Sequence, residues 1–206
     1  MKPIRELEIS GCWELQQFRY ADERGVFAKA YHTSDLQKHE LSFEVREVFW
    51  SMSGKGNIRG MHFQIPPHHH HKLVSCQQGK ILDVLLDLRN NSTSYGVATS
   101  LELDARQGNA VYIPPGVAHG FQSLESESLV LYLTSREHYP ESDKGVLWNS
   151  FNFSWPLTPT QISGRDQNQP ALFRASLSLL TNETICHRSY RIYRFTFCER
   201  SSPSWP

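Results

Sequence analysis

Short apolar segments separated by turn residues dominate the sequence. Each segment is rich in Val, Ile, Leu, Phe and Tyr and ends at a cluster of Gly, Pro, Asn or Ser. The clearest segments are Gly25–His32, Phe43–Ser53, Lys72–Gly79, Lys80–Arg89, Gly96–Ala105, Asn109–Gly116 and Ser128–Ser135. Short strands at such regular spacing are typical of an antiparallel sandwich or barrel, so the pattern predicts an all-β fold.

Two segments depart from simple alternation. Ile81–Leu88 is almost continuously apolar, which indicates a strand that is covered on both faces. Helical periodicity is weak along the chain, and Thr33–Leu41 is the stretch that favours a short helix. Thr33 or Ser34 is expected to cap that helix, because a hydroxyl at the first position can accept a hydrogen bond from a free backbone N–H.

Length and composition indicate a soluble protein with one main domain. The 206 residues suffice for a single core, 39% of them are apolar, and the formal net charge is zero. We therefore expect no nucleic-acid or membrane partner, and the N-terminus lacks the apolar run of a signal peptide, which favours the cytoplasm. Residues 1–180 are predicted to form the domain, and the basic, aromatic residues 181–206 an atypical tail of unassigned role.

The four cysteines are Cys12, Cys76, Cys186 and Cys198. They are far apart in sequence and form no C-x-x-C pair, so reduced, structural thiols are expected rather than a disulfide framework or a thiolate zinc site.

Two glycine-histidine segments carry the first chemical signal. The second one runs from Gly108 through Pro114 and Gly116 to His119, which matches the cupin pattern of G, five residues, P-x-G, two residues, H. The first places His62 six positions after Gly56. Because Gly and Pro fix the turns between short barrel strands, both histidines are predicted to point into the mouth of a barrel.

A bound metal is not expected at these histidines. Metal-binding cupins carry H-x-H followed by Glu, whereas His62 here precedes Phe63 and Gln64, and an amide is a poor metal ligand. Adjacent side chains such as those of His68–His71 cannot all converge on one centre. We interpret that run as a solvated loop at the rim of the pocket, and we predict no metal and no cofactor.

Linked motifs across residues 18–172 resemble the dTDP-4-dehydrorhamnose 3,5-epimerase family of nucleotide-sugar enzymes. They are Asp22–Phe27, Arg59–Pro67, Lys72–Ser92, Tyr112–Leu124, Leu129–Thr134, Tyr139–Asn149 and Ser154–Pro156. The resemblance implies a metal-free cupin jelly-roll barrel or sandwich with a few short helices, usually a homodimer. It implies a substrate that is a nucleotide-diphospho-4-keto-6-deoxy sugar, inverted at the carbons beside its ketone.

The resemblance assigns four residues to the chemistry. His62 would be the base that removes a proton beside the ketone, because an imidazole titrates near neutral pH. Asp166, in the sequence Ser-Gly-Arg-Asp, would orient that imidazole. Lys72 would stabilise the enolate oxygen, and Tyr132 would return a proton to the opposite face.

Six more residues are expected to bind substrate. Arg24 and Arg59 would grip the diphosphate, for which a planar guanidinium is suited. His119 would donate to the sugar or the enolate. The remaining candidates are Phe27, Glu47 and Tyr139.

Some positions depart from the family pattern. Family members that use dTDP carry a Q-x-N pattern at the positions where this chain has Glu47 and Phe49. In addition, Glu137 and His138 stand where the family usually has an aromatic pair before Tyr139. These changes lie on the nucleotide side, so CDP or GDP sugars are alternatives to dTDP, and epimerisation at C3, at C5 or at both is open. A metal-dependent cupin enzyme and a non-catalytic cupin that binds a sugar nucleotide are the competing functions.

Overall fold

The computed structural model describes residues 1–172, which are built almost entirely from β-strands. The strands are β1 Lys2–Glu6, β2 Trp13–Gln16, β3 Phe18–Asp22, β4 Gly25–Lys29, β5 Glu47–Ser53, β6 Ile58–Gln64, β7 Lys72–Gln78, β8 Lys80–Asp87, β9 Ala98–Asp104, β10 Asn109–Ile113, β11 Val117–Ser123, β12 Ser128–Thr134 and β13 Asp143–Gly145. The helices are α1 Thr33–Gln37 and α2 Gly164–Gln167.

Two antiparallel sheets form the body of the fold. The six-stranded sheet has the order β1-β2-β10-β7-β12-β5, and the five-stranded sheet has the order β13-β6-β11-β8-β9. Strands that are distant in sequence are neighbours in each sheet, as in a jelly roll. The β3–β4 hairpin forms a separate two-stranded sheet. The prediction of an all-β jelly roll with a few short helices is confirmed.

Each sheet buries its inner face against the other. Val74, Val111 and Val130 of the six-stranded sheet pack with Leu85 and Phe121 of the five-stranded sheet in the central core. Phe151, Phe153 and Trp155 cover the outer face of the five-stranded sheet, and β8 is therefore buried on both sides, as its continuous apolar sequence predicted.

The helix prediction was right about the element and wrong about its cap. Helix α1 begins at Thr33, and its N-cap is His32, whose side chain makes no capping hydrogen bond. Thr33 and Ser34 lie within the first turn, where their own backbone is helical, so their hydroxyls do not occupy the capping position. Asp35 supplies a negative charge to that turn.

Cys12 and Cys76 are buried, free thiols, as expected. Burial raises the pKa of each thiol to about 12, so both are protonated and unreactive at neutral pH. Cys186, Cys198, the predicted boundary at residue 180 and the tail 181–206 lie outside the described residues. Within residues 1–172, no helix is long and apolar enough to cross a bilayer.

Strands β6 and β11 approach each other closely at Gly60 and Gly120. A Cβ atom on Gly60 would lie 2.5 Å from the Cα of Gly120, and the Gly60 φ of +125° is in the region that favours glycine. The strand register places His62 directly opposite His119 just beyond this contact. The two glycines therefore set the position of both histidines.

We predict that Gly60→Ala lowers the free energy of unfolding by on the order of 3 kcal/mol, from overpacking against backbone and from the strained φ. Urea denaturation measures the loss. Gly54→Ala is the matched control, because the nearest atom to its new Cβ would be 3.7 Å away. It should change the free energy by less than about 0.5 kcal/mol. Equal losses in the two variants would contradict the proposed role of the close approach.

Candidate active site

A cavity of about 650 Å³ opens between the two sheets. Strands β5, β7 and β12 line one wall, and β6 and β11 line the other. Of the residues chosen from sequence, the cavity brings together His62, Asp166, Tyr132, Lys72, Arg59, His119 and Glu47.

His62 and Asp166 form a hydrogen-bonded pair at the cavity wall. The His62 Nε2 lies 2.7 Å from the Asp166 Oδ1, and His62 is half-buried while Asp166 is almost fully buried. The ionised carboxylate of Asp166 can only accept a hydrogen bond. The His62 Nε2 therefore carries the proton, and Nδ1 is left as the basic nitrogen. The pair is positioned to make His62 a proton acceptor.

Two backbone contacts fix the Asp166 carboxylate. Its Oδ2 accepts a hydrogen bond of 3.1 Å from the Gly60 N–H, and its own N–H donates to the Ser163 Oγ, which caps helix α2. Burial by itself would raise the pKa of Asp166, but the hydrogen bond and charge of His62 outweigh it, and the pKa is lowered. Asp166 is therefore ionised when His62 needs a counter-charge.

A second histidine-carboxylate pair lies beside the first. The His119 Nε2 is 2.7 Å from the Asp83 Oδ2, and both side chains are buried. Burial raises the pKa of Asp83, against the opposing effect of His119. His119 is held rigidly at the cavity wall, with its other nitrogen available to a ligand.

Tyr132 reaches the cavity from the opposite sheet. Its ring stacks on Phe49 at 4.6 Å between centroids, and its hydroxyl lies 3.2 Å from the Ser51 Oγ. Burial raises the pKa of Tyr132 above its ordinary value, so the phenol stays protonated at neutral pH. The Phe49 ring thus supports the Tyr132 ring by packing against it.

The ammonium group of Lys72 lies at the cavity wall. Its Nζ donates to the His62 carbonyl oxygen at 3.1 Å. Burial lowers the pKa of Lys72 to about 8, although Asp143 and Asp83 attract the charge. A poorly solvated ammonium group of this kind interacts strongly with any anion that enters the cavity.

Arg59 and Glu47 lie nearer the mouth. The Arg59 Nε donates to the Ser53 Oγ at 2.9 Å, and no carboxylate in residues 1–172 pairs with this guanidinium. The carboxylate of Glu47 also has no partner among these residues, and Glu47 shares the cavity with the exposed Arg136. Sequence reasoning missed Arg136, which lies in a loop without a motif.

Arg24, Phe27 and Tyr139 do not line this cavity. Arg24 lies at the tip of the β3–β4 hairpin and pairs with Asp22 at 2.7 Å, and Phe27 is 58% exposed on the same hairpin. Tyr139 stacks on His68 at 3.7 Å between ring centroids. In a single chain Arg24 and Phe27 therefore stand apart from the other site residues, whereas the Tyr139 N–H donates to the cavity residue Gln64 at 2.7 Å.

The four consecutive histidines have different surroundings. His69 is exposed, whereas His68 bonds to Ser142, and His71 bonds to Tyr112. His70 lines the cavity, so its interpretation as a solvated rim residue is wrong. In residues 1–172, no group of three or more His, Cys, Asp or Glu side chains is arranged to hold a metal ion.

Arg165 is a further cavity residue that sequence reasoning missed. It forms an ion pair of 2.7 Å with Asp143, which also lines the cavity. Its position directly before Asp166 was the available signal, because a short helix that presents Asp166 also brings its neighbour close to the site.

Comparisons with known proteins agree with one another. The family model described as dTDP-4-dehydrorhamnose 3,5-epimerase matches residues 6–173. A dTDP-4-dehydrorhamnose 3,5-epimerase of Mycolicibacterium smegmatis is 34% identical over 174 residues, covering 83% of this chain and 86% of that protein. A dTDP-4-dehydrorhamnose 3-epimerase of Streptomyces niveus is 34% identical and covers 84% of each chain.

A solved structure is also similar. The dTDP-4-dehydrorhamnose 3,5-epimerase of Bacillus anthracis, with TDP and PPi bound, matches with a TM-score of 0.79 and 31% identity. The match covers 82% of this chain and 98% of that one.

We predict that Lys72→Met raises the free energy of unfolding at pH 7 by about 1–2 kcal/mol, because the charged lysine is poorly solvated in the folded state. The pKa of Lys72 in the folded protein, about 8, lies below the ordinary value of 10.5, so the charged lysine destabilises the fold fully below pH 8. This destabilisation disappears as the pH rises from 8 through 10.5. Urea denaturation at pH 7 and pH 10 measures the difference.

The exposed Lys55→Met variant is the control for this prediction. It should show little gain at either pH. A gain from Lys72→Met that is the same at pH 7 and pH 10 would show that desolvation of the ammonium is not its cause.

Proposed function

The chain belongs to the dTDP-4-dehydrorhamnose 3,5-epimerase family and is therefore an isomerase, and we propose that it inverts a dTDP-linked 4-keto-6-deoxy sugar beside the ketone without a cofactor. The observation that carries the proposal is a histidine-aspartate pair and a buried tyrosine that enter one cavity from opposite sheets. The relatives' names favour dTDP over CDP or GDP.

Inversion requires that a proton leaves one face of the sugar and another proton arrives at the opposite face. His62 projects from β6 and Tyr132 from β12, and these strands belong to the two facing sheets. His62 takes the proton from the carbon beside the ketone at its Nδ1, and Asp166 stabilises the imidazolium that results. Tyr132 then donates its phenolic proton to the other face of that carbon and regains one from solvent.

The electron pair released by His62 moves to the ketone oxygen. The Lys72 ammonium provides a positive charge for this enolate in a cavity shielded by the two sheets. His119, held by Asp83, supplies a second polar contact to the same region. Arg59 is the guanidinium that binds the diphosphate, because it carries no carboxylate partner within residues 1–172.

Arg24 and Phe27 fit this site when they come from a second copy of the chain. The β3–β4 hairpin exposes Phe18, Tyr20 and Val26 in addition to Phe27, a large apolar surface for one short hairpin. A homodimer that buries this hairpin would bring Arg24 of the partner subunit to the diphosphate. Neither residue lines the cavity of its own chain.

We predict that His62→Ala lowers kcat/KM for dTDP-4-keto-6-deoxyglucose about a thousand-fold, because the base is lost. Tyr132→Phe should abolish the inverted product and still allow deuterium to enter from the His62 face. Proton NMR in deuterated water follows both events and identifies C3 or C5.

Tyr112→Phe is the control for Tyr132→Phe, since it removes a strand tyrosine hydroxyl that does not line the cavity. It should leave turnover unchanged. Binding of the substrate by the folded wild-type protein without any deuterium exchange would favour a non-catalytic cupin that binds a sugar nucleotide. Activity that is abolished by a chelator and restored by a metal would favour a metal-dependent cupin enzyme.

We predict that Arg24→Ala and His62→Ala chains, each inactive alone, regain activity when they are co-refolded. Random pairing gives mixed dimers in about half of the cases, and each mixed dimer has one intact site, so about a quarter of all sites should work. Turnover before and after mixing measures this. A mixture no more active than its components would contradict a contribution of Arg24 across the dimer.

A further inference from the structure

His70 presents a hydrogen-bond donor to the cavity that the mechanism above does not use. Its Nδ1 lies 2.9 Å from the Gln64 Nε2. The ring is half-buried and lines the cavity. No hydrogen bond to its Nε2 is found among residues 1–172, so this corner of the ring is available to a ligand.

The contacts of Gln64 determine which nitrogen of His70 carries the proton. The Gln64 Nε2 lies 2.9 Å from the His68 carbonyl oxygen and 3.2 Å from the Glu137 carbonyl oxygen, while its Oε1 accepts from the Tyr139 N–H. The amide nitrogen therefore faces two acceptors and is correctly oriented. A protonated Nδ1 on His70 would face the Gln64 amide donor at 2.9 Å, whereas the carbonyl oxygen of His68 that it could reach lies farther away, at 3.4 Å. The shorter contact therefore decides that Nδ1 accepts and Nε2 carries the proton.

His70 is also electrically neutral at physiological pH. Burial, and to a lesser extent the charge of Lys72, lower its pKa to about 3, against weaker opposing effects of the His68 carbonyl and Asp143. The side chain is therefore a fixed, uncharged donor. Such a group suits a hydroxyl oxygen better than a phosphate.

The order of residues along β6 indicates which part of the substrate meets His70. Arg59, His62 and Gln64 follow one another on this strand. With the diphosphate at Arg59 and the reacting carbon at His62, the end of the sugar remote from the diphosphate points toward Gln64 and His70. The ketone at C4 is taken by Lys72, and the neighbouring group that can hydrogen-bond is the C3 hydroxyl.

We infer that His70 is a specificity-determining residue whose Nε2–H donates to the C3 hydroxyl of the sugar. This inference rests on the proposed function, because it uses the same substrate and the same orientation. Gln64 is the positioning residue that holds the donor. The site would then distinguish a 3-hydroxy sugar from a 3-deoxy sugar before any proton is moved.

The test is calorimetric binding to the full chain of three unreactive ligands: dTDP, dTDP-6-deoxyglucose and dTDP-3,6-dideoxyglucose. His70→Ala should weaken dTDP-6-deoxyglucose about 5- to 10-fold, the usual effect of losing one neutral hydrogen bond. It should change binding of the 3-deoxy ligand and of dTDP by less than about two-fold, because neither carries the hydroxyl. His70→Gln, which keeps an N–H donor, should recover part of the loss.

His69→Ala is the matched control, since it removes the exposed neighbour of the same type. Equal binding of the 3-hydroxy ligand by His70→Ala and His69→Ala would overturn the inference. So would an equal loss for the 3-hydroxy and 3-deoxy ligands. Turnover by the wild-type protein is measured separately, and absence of deuterium exchange there would overturn the proposed function. The binding comparison would still decide the role of His70.

Discussion

The close approach of β6 and β11 at Gly60 and Gly120 is the constraint on which the site depends. It leaves no room for a side chain between the strands, and it sets the register in which His62 faces His119. The same segment turns the Gly60 N–H toward Asp166, which arrives from a helix more than a hundred residues later in the chain. One backbone contact thus fixes the positions of His62, His119 and Asp166 together.

Aspartates at the cavity are paired with a histidine or an arginine, whereas the Glu47 carboxylate has no partner within residues 1–172. Asp83 and Asp166 each hold a histidine, and Asp143 holds Arg165, so these carboxylates are already paired before a ligand enters. Within residues 1–172, the only hydrogen bond of the Lys72 ammonium goes to a carbonyl oxygen, and the Arg59 guanidinium donates only to neutral oxygens. Cations that are not neutralised by a carboxylate are what an anionic sugar nucleotide needs, and the low exposure of Lys72 strengthens their effect.

The sequence could predict the strands better than the site. Alternating and continuous apolar runs identify β7, β8 and β12, because burial on a sheet imposes those patterns directly. No local pattern could connect Asp166 to His62 across the fold, and family resemblance supplied that pair. His70 was missed because four adjacent histidines look like a solvated loop. The contact with Gln64, at the end of β6, holds His70 at the cavity, and it depends on this strand meeting the loops that carry His70 and Glu137.

The substitution at position 49 now has a physical explanation. In the family members that this chain resembles, a polar residue stands there and helps to hold the nucleotide, whereas Phe49 stacks on the Tyr132 ring at 4.6 Å. That contact restricts the orientation of the phenol and excludes water from one of its faces. Residue 49 therefore packs against Tyr132 in this chain, the residue that the proposed function makes the proton donor. In the proposed function, the contacts to the nucleotide are instead assigned to Arg59 and to a second copy of the chain.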